Sequence, residues 1–553
     1  MIYPKIPLAQ SIIQICLAKG VDHIVISPGS RNAPLIIGFA NDSKFKCYSI
    51  VDERSAAFFA LGLAQQIRKP VALVCTSGSA LLNYYPAFAE AFYSQIPLVV
   101  ISADRPKHKI DIGDGQTIRQ ENVFINHSLF NANLEEEASQ INNTKINEAI
   151  NTAIAKKGPV HINVPFEEPL YETVSELSVA FTCIENVKLD HTIDKETVVF
   201  SASIWNNSNK ILVLIGENKP NSLDQAWIDS IALNPSVVVL TETTSNIHHE
   251  TFIANIDALI TPFTNTDFLK FQPDLLITFG GMIVSKRIKS LIRKFPPKNH
   301  WHIDELRAYD TFGALTKHFR TTPNYFFGQL LPHTIASKSD YKNIIQEIKI
   351  SRKVKHNKYL SLIPFCDLKV FEIVLSQLPS AIQLQVSNSS AIRYAQIFDV
   401  NQSIEVFCNR GTSGIDGSTS TAIGAAVGSK KATVFITGDV GFFYDNNALW
   451  NNYIPNNFKI ILINNGGGGI FRILPGHEET VVFNTFFETS HCLTAEHLAK
   501  MHRFDYITAS NENTLNEGLL KLFNDDENPK ILEIFTPTRE NQKLLLDYFS
   551  ALA

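Results

Sequence analysis

The sequence predicts an α/β protein of three domains, each with a mainly parallel sheet flanked by helices. Three observations carry this. Short β-branched runs alternate with helical stretches in three successive blocks. Many of the runs, such as VALVC and ILVLI, are continuously apolar, as in strands buried on both faces. At roughly 150 residues per domain, a chain of 553 residues accommodates three such units. The expected domains are 1–180, 181–350 and 351–553.

In the first block the expected strands are HIVIS (23–27), YSIV (48–51), VALVC (71–75), LVVIS (98–102) and VHINV (160–164), with helices over 55–67 and 80–94. Residues 172–205 lose the rhythm and read as a linker. The second block offers ILVLI (211–215), VVVL (237–240) and LLITF (275–279). The Lys-rich stretch 335–358 reads as a solvated helix leading into the third block. There the strands are IQLQV (382–386), VFC (406–408), TVFIT (433–437), KIILI (459–463) and ILEIF (531–535).

Composition narrows the function. Lys and Arg number 49 against 54 Asp and Glu, a net charge of −5. A generally basic nucleic-acid coat is thereby excluded. Seven cysteines, an odd number without a CxxC pair, sit mostly in apolar runs and read as buried reduced thiols. No apolar run approaches the ~18 residues of a membrane span, and the N-terminus lacks a signal-peptide pattern. A soluble cytoplasmic enzyme is the expectation, with no nucleic-acid or membrane partner.

Ligands of open parallel sheets gather at the carboxyl ends of strands, and the informative motifs follow the strands. Gly438-Asp439 ends one run and Asn464-Asn465 the next, with 24 residues between Asp439 and Asn464. That spacing allows one helix and a return strand, so a carboxylate and an amide oxygen can stand side by side. Magnesium takes about six hard oxygen ligands. Asp439, the side-chain oxygen of Asn465 and a backbone carbonyl near Gly467 supply three. Two diphosphate oxygens and a water complete the set. The bland alternatives are an ordinary strand-end turn and a flexible glycine loop. The arrangement resembles the diphosphate motif of thiamine-diphosphate-dependent enzymes, with Val440 where a glycine is common. A Rossmann nicotinamide site fits poorly, because Gly113-Asp-Gly115 lacks both the third glycine and a preceding strand.

Thiamine chemistry also needs a carboxyl group at the aminopyrimidine. Glu53 stands where a strand passes into a helix. Its bland reading is a first-turn acid favoured by the helix dipole. Asp52 is the weaker candidate because it suits the helix cap.

The motifs SPGSRNAPL (27–35), DERSAAFFALGLA (52–64), TSGSALLNYYPAFAEA (76–91), ADRP (103–106) and GQTIRQ (115–120) then acquire a common meaning. With SKR (285–287), NSSAIR (388–393), NRGTSGIDG (409–417) and GGIF (468–471), they resemble the 2-succinyl-5-enolpyruvyl-6-hydroxy-3-cyclohexene-1-carboxylate synthase family of menaquinone biosynthesis. The resemblance implies a thiamine-diphosphate-binding fold with a pyrimidine-binding N-terminal domain, a central domain and a diphosphate-binding C-terminal domain. It implies thiamine diphosphate with Mg²⁺, or Mn²⁺, in a homodimer or homotetramer whose active sites lie between subunits.

The implied reaction decarboxylates 2-oxoglutarate and adds the resulting succinic-semialdehyde carbanion equivalent to isochorismate in a Stetter-like 1,4-addition. Glu53 is the implied catalytic acid. Ser413, Ile415 and Gly438 join Asp439, Asn465 and Gly467 around the cofactor, with Ile415 propping its bent form. Ile470 and Phe471 form an apolar wall. Each substrate carries two carboxylates, and arginine pairs bidentately with carboxylates without losing its proton. By resemblance, Ser389, Arg393 and Arg410 hold the donor. Arg31, Arg105, Gln116, Lys286 and Arg287 face isochorismate. Gly115 stands where the family often has asparagine, so that contact falls to water or to Asp114. The segment LPGHEET (474–480), with His477, Glu478 and Glu479, reads as a mobile cover rather than a catalytic set. Two other readings remain: a different thiamine-dependent 2-oxoacid decarboxylase or carboligase, such as an acetohydroxyacid-synthase relative, and a non-catalytic regulatory protein on this fold.

Overall fold

The computed structural model describes residues 2–185, 191–336, 338–473, 478–525 and 527–553. Three parallel sheets dominate. The N-terminal sheet runs, edge to edge, Lys46–Ser49, His23–Ile26, Val71–Cys75, Leu98–Asp104, Val160–Pro165 and Asn131–Asn133. The C-terminal sheet runs Glu405–Phe407, Gln383–Val386, Thr433–Gly438, Phe458–Asn464, Lys530–Phe535 and Asp505–Ala509. Numbered within each sheet, both follow the order 2-1-3-4-6-5. Both therefore have a switch point between their first and third strands, where ligands of such sheets sit. The central sheet runs Val237–Thr241, Ile211–Ile215, Leu275–Phe279, Asn299–Ile303 and Lys317–Phe319.

The apolar runs Val71–Cys75, Ile211–Ile215 and Leu275–Phe279 became inner strands buried along their whole length, while Val237–Thr241, equally buried, lies at the edge of the central sheet. The run expected at 48–51 pairs two residues earlier, as Lys46–Ser49, because Asp52 starts the next helix and Ile50 already turns toward it. The helix expected over 80–94 is two pieces, Ala80–Asn83 and Tyr85–Ser94, with Pro86 opening the second. Part of the stretch read as linker is helical. Lys195–Asn206 is capped by Asp194 and buries Val198, Ala202 and Trp205 on one face. The Lys-rich helix is present as Tyr341–Leu360.

The N- and C-terminal units dock through two helices, Glu53–Ile67 and Ser418–Gly428. Their backbones approach so closely that a Cβ on Gly62 would lie 2.0 Å from the Thr421 carbonyl oxygen. A Cβ on Gly424 would lie 2.0 Å from that of Phe59. Phe58, Phe59, Ala422 and Ile423 belong to one buried core shared across this seam. The helix Glu53–Ile67 thus carries Glu53 in its first turn while its body is clamped to the C-terminal unit. The neighbouring Asp52 and Arg54 also reach that unit, Asp52 accepting from Asn447 at 2.7 Å and Arg54 donating to the Tyr444 carbonyl at 2.9 Å. Among the described residues, no helix is long and apolar enough to cross a membrane.

Candidate active site

Asp439 and Asn465 follow neighbouring strands of the C-terminal sheet. Thr433–Gly438 and Phe458–Asn464 are neighbouring parallel strands, with Gly438 in register with Ile463. Asp439 therefore leaves its strand beside Asn464. Its buried carboxylate accepts from the amides of Val440 at 2.6 Å, Gly466 at 2.8 Å and Gly467 at 3.0 Å. Burial pushes this carboxyl up, while those amides and His491 pull it down. Gly466 and Gly467 have φ of 79° and 154°, which favour glycine and let the loop fold over the carboxylate.

Asn465 donates its side-chain N–H to Asp367 Oδ2 at 3.0 Å. Asp367 also accepts from Thr536 Oγ1 at 2.5 Å, and burial raises its carboxyl to about 6. A carboxylate partner orients the amide by taking its N–H, leaving the oxygen of Asn465 for another ligand. Asp367 carries no motif, and nothing in the sequence marks it.

These donors fit a hard cation with a diphosphate. Among the described residues, no group of three His, Cys, Asp or Glu could hold a metal. A site here must draw on amide, backbone and ligand oxygens, which suits Mg²⁺. Two further features leave polar capacity and space for an anion. A Cβ on Gly438 would meet nothing within 4 Å. The buried Nε2 of His491 lies 3.4 Å from Asp439 Oδ2 and has no hydrogen-bond partner among the described residues.

Ile415 stands close to this strand end. Its carbonyl oxygen would lie 3.7 Å from a Cβ on Gly441. Ser413 has a φ of 62° in the turn before it, and its hydroxyl donates to the Arg410 carbonyl at 3.3 Å. Phe471 is 36% exposed, with its ring 6.1 Å from that of Phe487; the neighbouring Ile470 is half-buried. The segment 474–477, with His477, lies outside the described residues. Glu479 pairs with Arg539 at 3.3 Å and with Arg472 at 3.7 Å.

Arg393 and Arg410 come together. Arg393 donates to the carbonyl of Ser389 at 2.8 Å, and Arg410 to the side-chain oxygen of Asn388 at 2.7 Å. Ser389 has a φ of 68°, a strained conformation for a non-glycine residue. Burial, and then Arg410, lower the pKa of Arg393. Asn388 is a further site residue, which its place in NSSAIR does not by itself single out. Its amide N–H groups reach the carbonyls of Asn409 at 2.6 Å and Gly414 at 2.7 Å, tying NSSAIR to NRGTSGIDG.

Arg287 is exposed and stacks on Phe549 at 4.6 Å, and Lys286 is exposed at the start of the helix Lys286–Lys294. Lys289, one turn on and unmarked in the sequence, is half-buried, and its pKa is lowered by burial and by Arg410. The turn before these residues is held by buried Glu242, which accepts from the amides of Val284 at 2.6 Å and Ser285 at 2.8 Å.

In the N-terminal unit, Arg31 is 4% exposed. It donates to the Phe166 carbonyl at 2.9 Å and to Glu168 at 3.0 Å. Arg105 lies 3.6 Å from Asp114. The space at Gly115 is open, with no atom within 4 Å of a would-be Cβ. Gln116, with a φ of 55°, passes its backbone over Gly78. Asp52 caps its helix, accepting from Ser55 N–H at 2.9 Å. Glu53 is therefore not the cap, and it accepts one long hydrogen bond, from Asn83 at 3.4 Å. Among the described residues, no hydrogen bond or ion pair links Glu53 to Asp439, Asn465 or Ile415. Separately, a cavity of about 460 Å³ lies at the carboxyl ends of the central strands, lined by Arg68, Glu217, Lys219 and Arg307 among others.

Comparison with known proteins identifies the domains and the family. Residues 6–126 match the thiamine pyrophosphate enzyme N-terminal TPP binding domain, and residues 388–534 the C-terminal TPP binding domain. The solved structure of benzoylformate decarboxylase from Polynucleobacter necessarius superposes with a TM-score of 0.69 over 96% of this chain and 99% of that one. At 15% identity it speaks for the fold alone. A 2-succinyl-5-enolpyruvyl-6-hydroxy-3-cyclohexene-1-carboxylate synthase from Flavobacterium johnsoniae is 66% identical over the full length of both chains. Those from Flavobacterium psychrophilum and Porphyromonas gingivalis are 65% and 37% identical, the first over all of both chains, the second over 97% of this chain and 95% of its own. The chain belongs to the 2-succinyl-5-enolpyruvyl-6-hydroxy-3-cyclohexene-1-carboxylate synthase family of thiamine-diphosphate-dependent enzymes.

Proposed function

We propose that the chain decarboxylates 2-oxoglutarate and joins the remaining four-carbon unit to the ring alkene of isochorismate, releasing CO₂, in menaquinone biosynthesis. The observation that carries this is the largely buried pair Arg393 and Arg410, at the carboxyl end of the sheet that also carries Asp439 and Asn465. Two neighbouring guanidinium groups taken out of water need an anion between them. A donor with a second carboxylate supplies it, whereas a small monocarboxylate does not. The names of the relatives describe the product of this reaction.

Thiamine diphosphate, when bound, supplies the electron sink for carbon–carbon cleavage. Asp439, Asn465 and the backbone near Gly467 hold Mg²⁺, or Mn²⁺ in its place, and through it the diphosphate. Glu53 holds the proton shared with N1′ of the aminopyrimidine. Ser413 shapes the turn that presents Ile415, and Ile415, Ile470 and Phe471 keep water from the reacting carbon. Ser389, Arg393 and Arg410 orient the donor. Arg31, Arg105, Gln116, Lys286 and Arg287 orient isochorismate.

The working unit in this reading is a homodimer, or a homotetramer built from it, in the cytoplasm. Exposed apolar residues flank Glu53, with Val51 at 44% and Leu82 at 42%. Others crowd the segment after the glycine loop, with Val481 at 82% and Phe486 at 75%. Covering both faces with a second copy would bring Glu53 of one chain to the Asp439 end of the other. The buried free thiols suit a reducing compartment.

Mass spectrometry of the product tests the proposal, with 2-oxoglutarate, isochorismate, thiamine diphosphate and divalent metal omitted in turn. Each omission should abolish the product. Preference for pyruvate over 2-oxoglutarate would overturn the donor assignment.

A further inference from the structure

Glu90 lies on the helix Tyr85–Ser94 of the N-terminal unit and is 1% exposed. Its carboxylate faces no solvent and is filled by donors. One oxygen accepts from the amide of Gly411 and the hydroxyl of Ser94, both at 2.7 Å. The other accepts from the amide and the hydroxyl of Thr412, at 2.6 and 2.8 Å. Three of the four donors come from the C-terminal unit, 321 or 322 residues away. Gly411 is fitted to this contact. A Cβ there would lie 2.6 Å from the Glu90 carbonyl oxygen and 2.9 Å from its carboxylate.

The residue immediately before this turn is Arg410. Its Nη1 donates to Asn388, and its buried Nε has no partner among the described residues. The direction of its guanidinium therefore depends on how the backbone at 410–412 is held. We infer that Glu90 is a positioning residue for the donor carboxylate, fixing the 411–412 turn so that Arg410 points at the substrate. The N-terminal unit then contributes to donor selection through a residue that never touches the donor. Charge-assisted bonds to backbone amides are among the stronger hydrogen bonds available. A glutamine of the same size can satisfy one amide but sets its own N–H₂ against the other.

The inference rests on the reading of Arg410 as a donor-binding residue, and the experiment separates the two. Carbon dioxide release would be measured with 2-oxoglutarate and with 2-oxopentanoate, which has the same chain length and no second carboxylate. The ratio of their kcat/KM values reports how well the guanidinium is aimed. Glu90→Gln should lower that ratio at least about tenfold, mainly through KM for 2-oxoglutarate. Thiamine diphosphate affinity and KM for isochorismate should stay within about twofold. A merely structural role for Glu90 lowers both donors together and leaves the ratio intact, which would overturn the inference. Arg410→Gln is the reference. If it leaves the ratio unchanged, the donor-site reading itself fails. If it collapses the ratio and Glu90→Gln does not, only the role of Glu90 is lost. Should Glu90→Gln not fold, Thr412→Val decides. It removes one donor to Glu90 at an exposed position and should lower the ratio about threefold, and an unchanged ratio refutes the proposal.

Discussion

Gly424→Ala tests the seam that joins the two cofactor-binding units. In an isolated helix this change would stabilise, by roughly 1 kcal/mol. Gly424 has no left-handed φ to oppose it. Here the new methyl would stand 2.0 Å from the Phe59 carbonyl oxygen and 2.7 Å from its carbon, against ordinary contact from 3.4 Å. Both partners are backbone atoms of buried helices, so no rotamer change can relieve the clash, and the helices must part by about an ångström. Overpacking of this kind typically costs about 1–3 kcal/mol, so the net sign reverses. The same displacement moves Glu53, at the end of the partner helix. An error of about 1 Å in a reacting group can lower turnover about 10²-fold. The measurements are a thermal melt and carbon dioxide release on one preparation. Gly62→Ala, whose methyl would meet the Thr421 oxygen at 2.0 Å, should behave alike. The double variant should lose less than the sum, because the first methyl has already opened the seam. An unchanged or raised melting temperature in Gly424→Ala would refute the close approach.

Glu53→Gln should leave folding and thiamine diphosphate binding near normal, since Asp52 is the cap and, among the described residues, Glu53 accepts only the long bond from Asn83. Exchange of the thiazolium C2 proton with deuterated solvent, followed by acid quench and proton NMR, should slow about 10²–10⁴-fold; wild-type exchange would remove Glu53 from the catalytic role. Glu217→Gln should change how stability depends on pH. Burial, then Glu90, push the Glu217 carboxyl from 4.5 to about 8, with Arg410 opposing and Glu242 adding. Between those values the folded chain keeps a proton that the unfolded chain releases, so the wild type loses stability as pH rises from 4.5 to 8 and levels off above. A tenfold change in proton affinity corresponds to about 1.4 kcal/mol, and because Glu217 is only half-buried, solvent screening reduces the total to roughly 1–3 kcal/mol. Urea melts at about pH 5.5 and 8.5, on either side of most of this change, should show the variant gaining on the wild type at the higher value; parallel behaviour would show that Glu217 is ionised throughout.

What the sequence made legible depended on burial. Inner strands such as Val71–Cys75 and Ile211–Ile215 are apolar because both faces are covered, and such runs stand out. The strands Asn131–Asn133, Lys317–Phe319 and Asp505–Ala509 sit at sheet edges. Their residues are partly exposed and polar, so they lack that signal. Lys195–Asn206 hid for a related reason, as its apolar stripe is diluted by Lys195, Glu196 and Thr197 in the first turn. At the site, the strand-end rule pointed to Asp439 and Asn465, whose strands are neighbours with a short crossover. Glu90, Asp367 and Asn388 escaped it. The first two act across 321 and 98 residues, on a loop and an amide that only the folded chain brings to them. Asn388 works through bonds to the backbone of Asn409 and Gly414, which no spacing rule anticipates.

Arg393 and Arg410, proposed above to bind the donor, stand where guanidinium suits better than ammonium. Arg393 and Arg410 are both mostly buried, and Arg410 disfavours the charge on Arg393. Lys289, close by, is already lowered by burial and by Arg410. A lysine placed at 393 would meet the same burial and the same neighbour, starting from a pKa about two units lower. It would lose charge where charge is needed, while arginine has room to spare. Acids surround the pair. Asp257 raises the pKa of Arg393, and Glu242 and Glu217 both feel Arg410. Burial lifts Glu242 to about 7 and Glu217 to about 8, so these acids share protons near neutrality. They moderate the positive field without forming a salt bridge that a substrate carboxylate would have to break. In the proposed reading an arriving dianion meets two charged guanidinium groups whose counter-charge is spread over the surrounding acids.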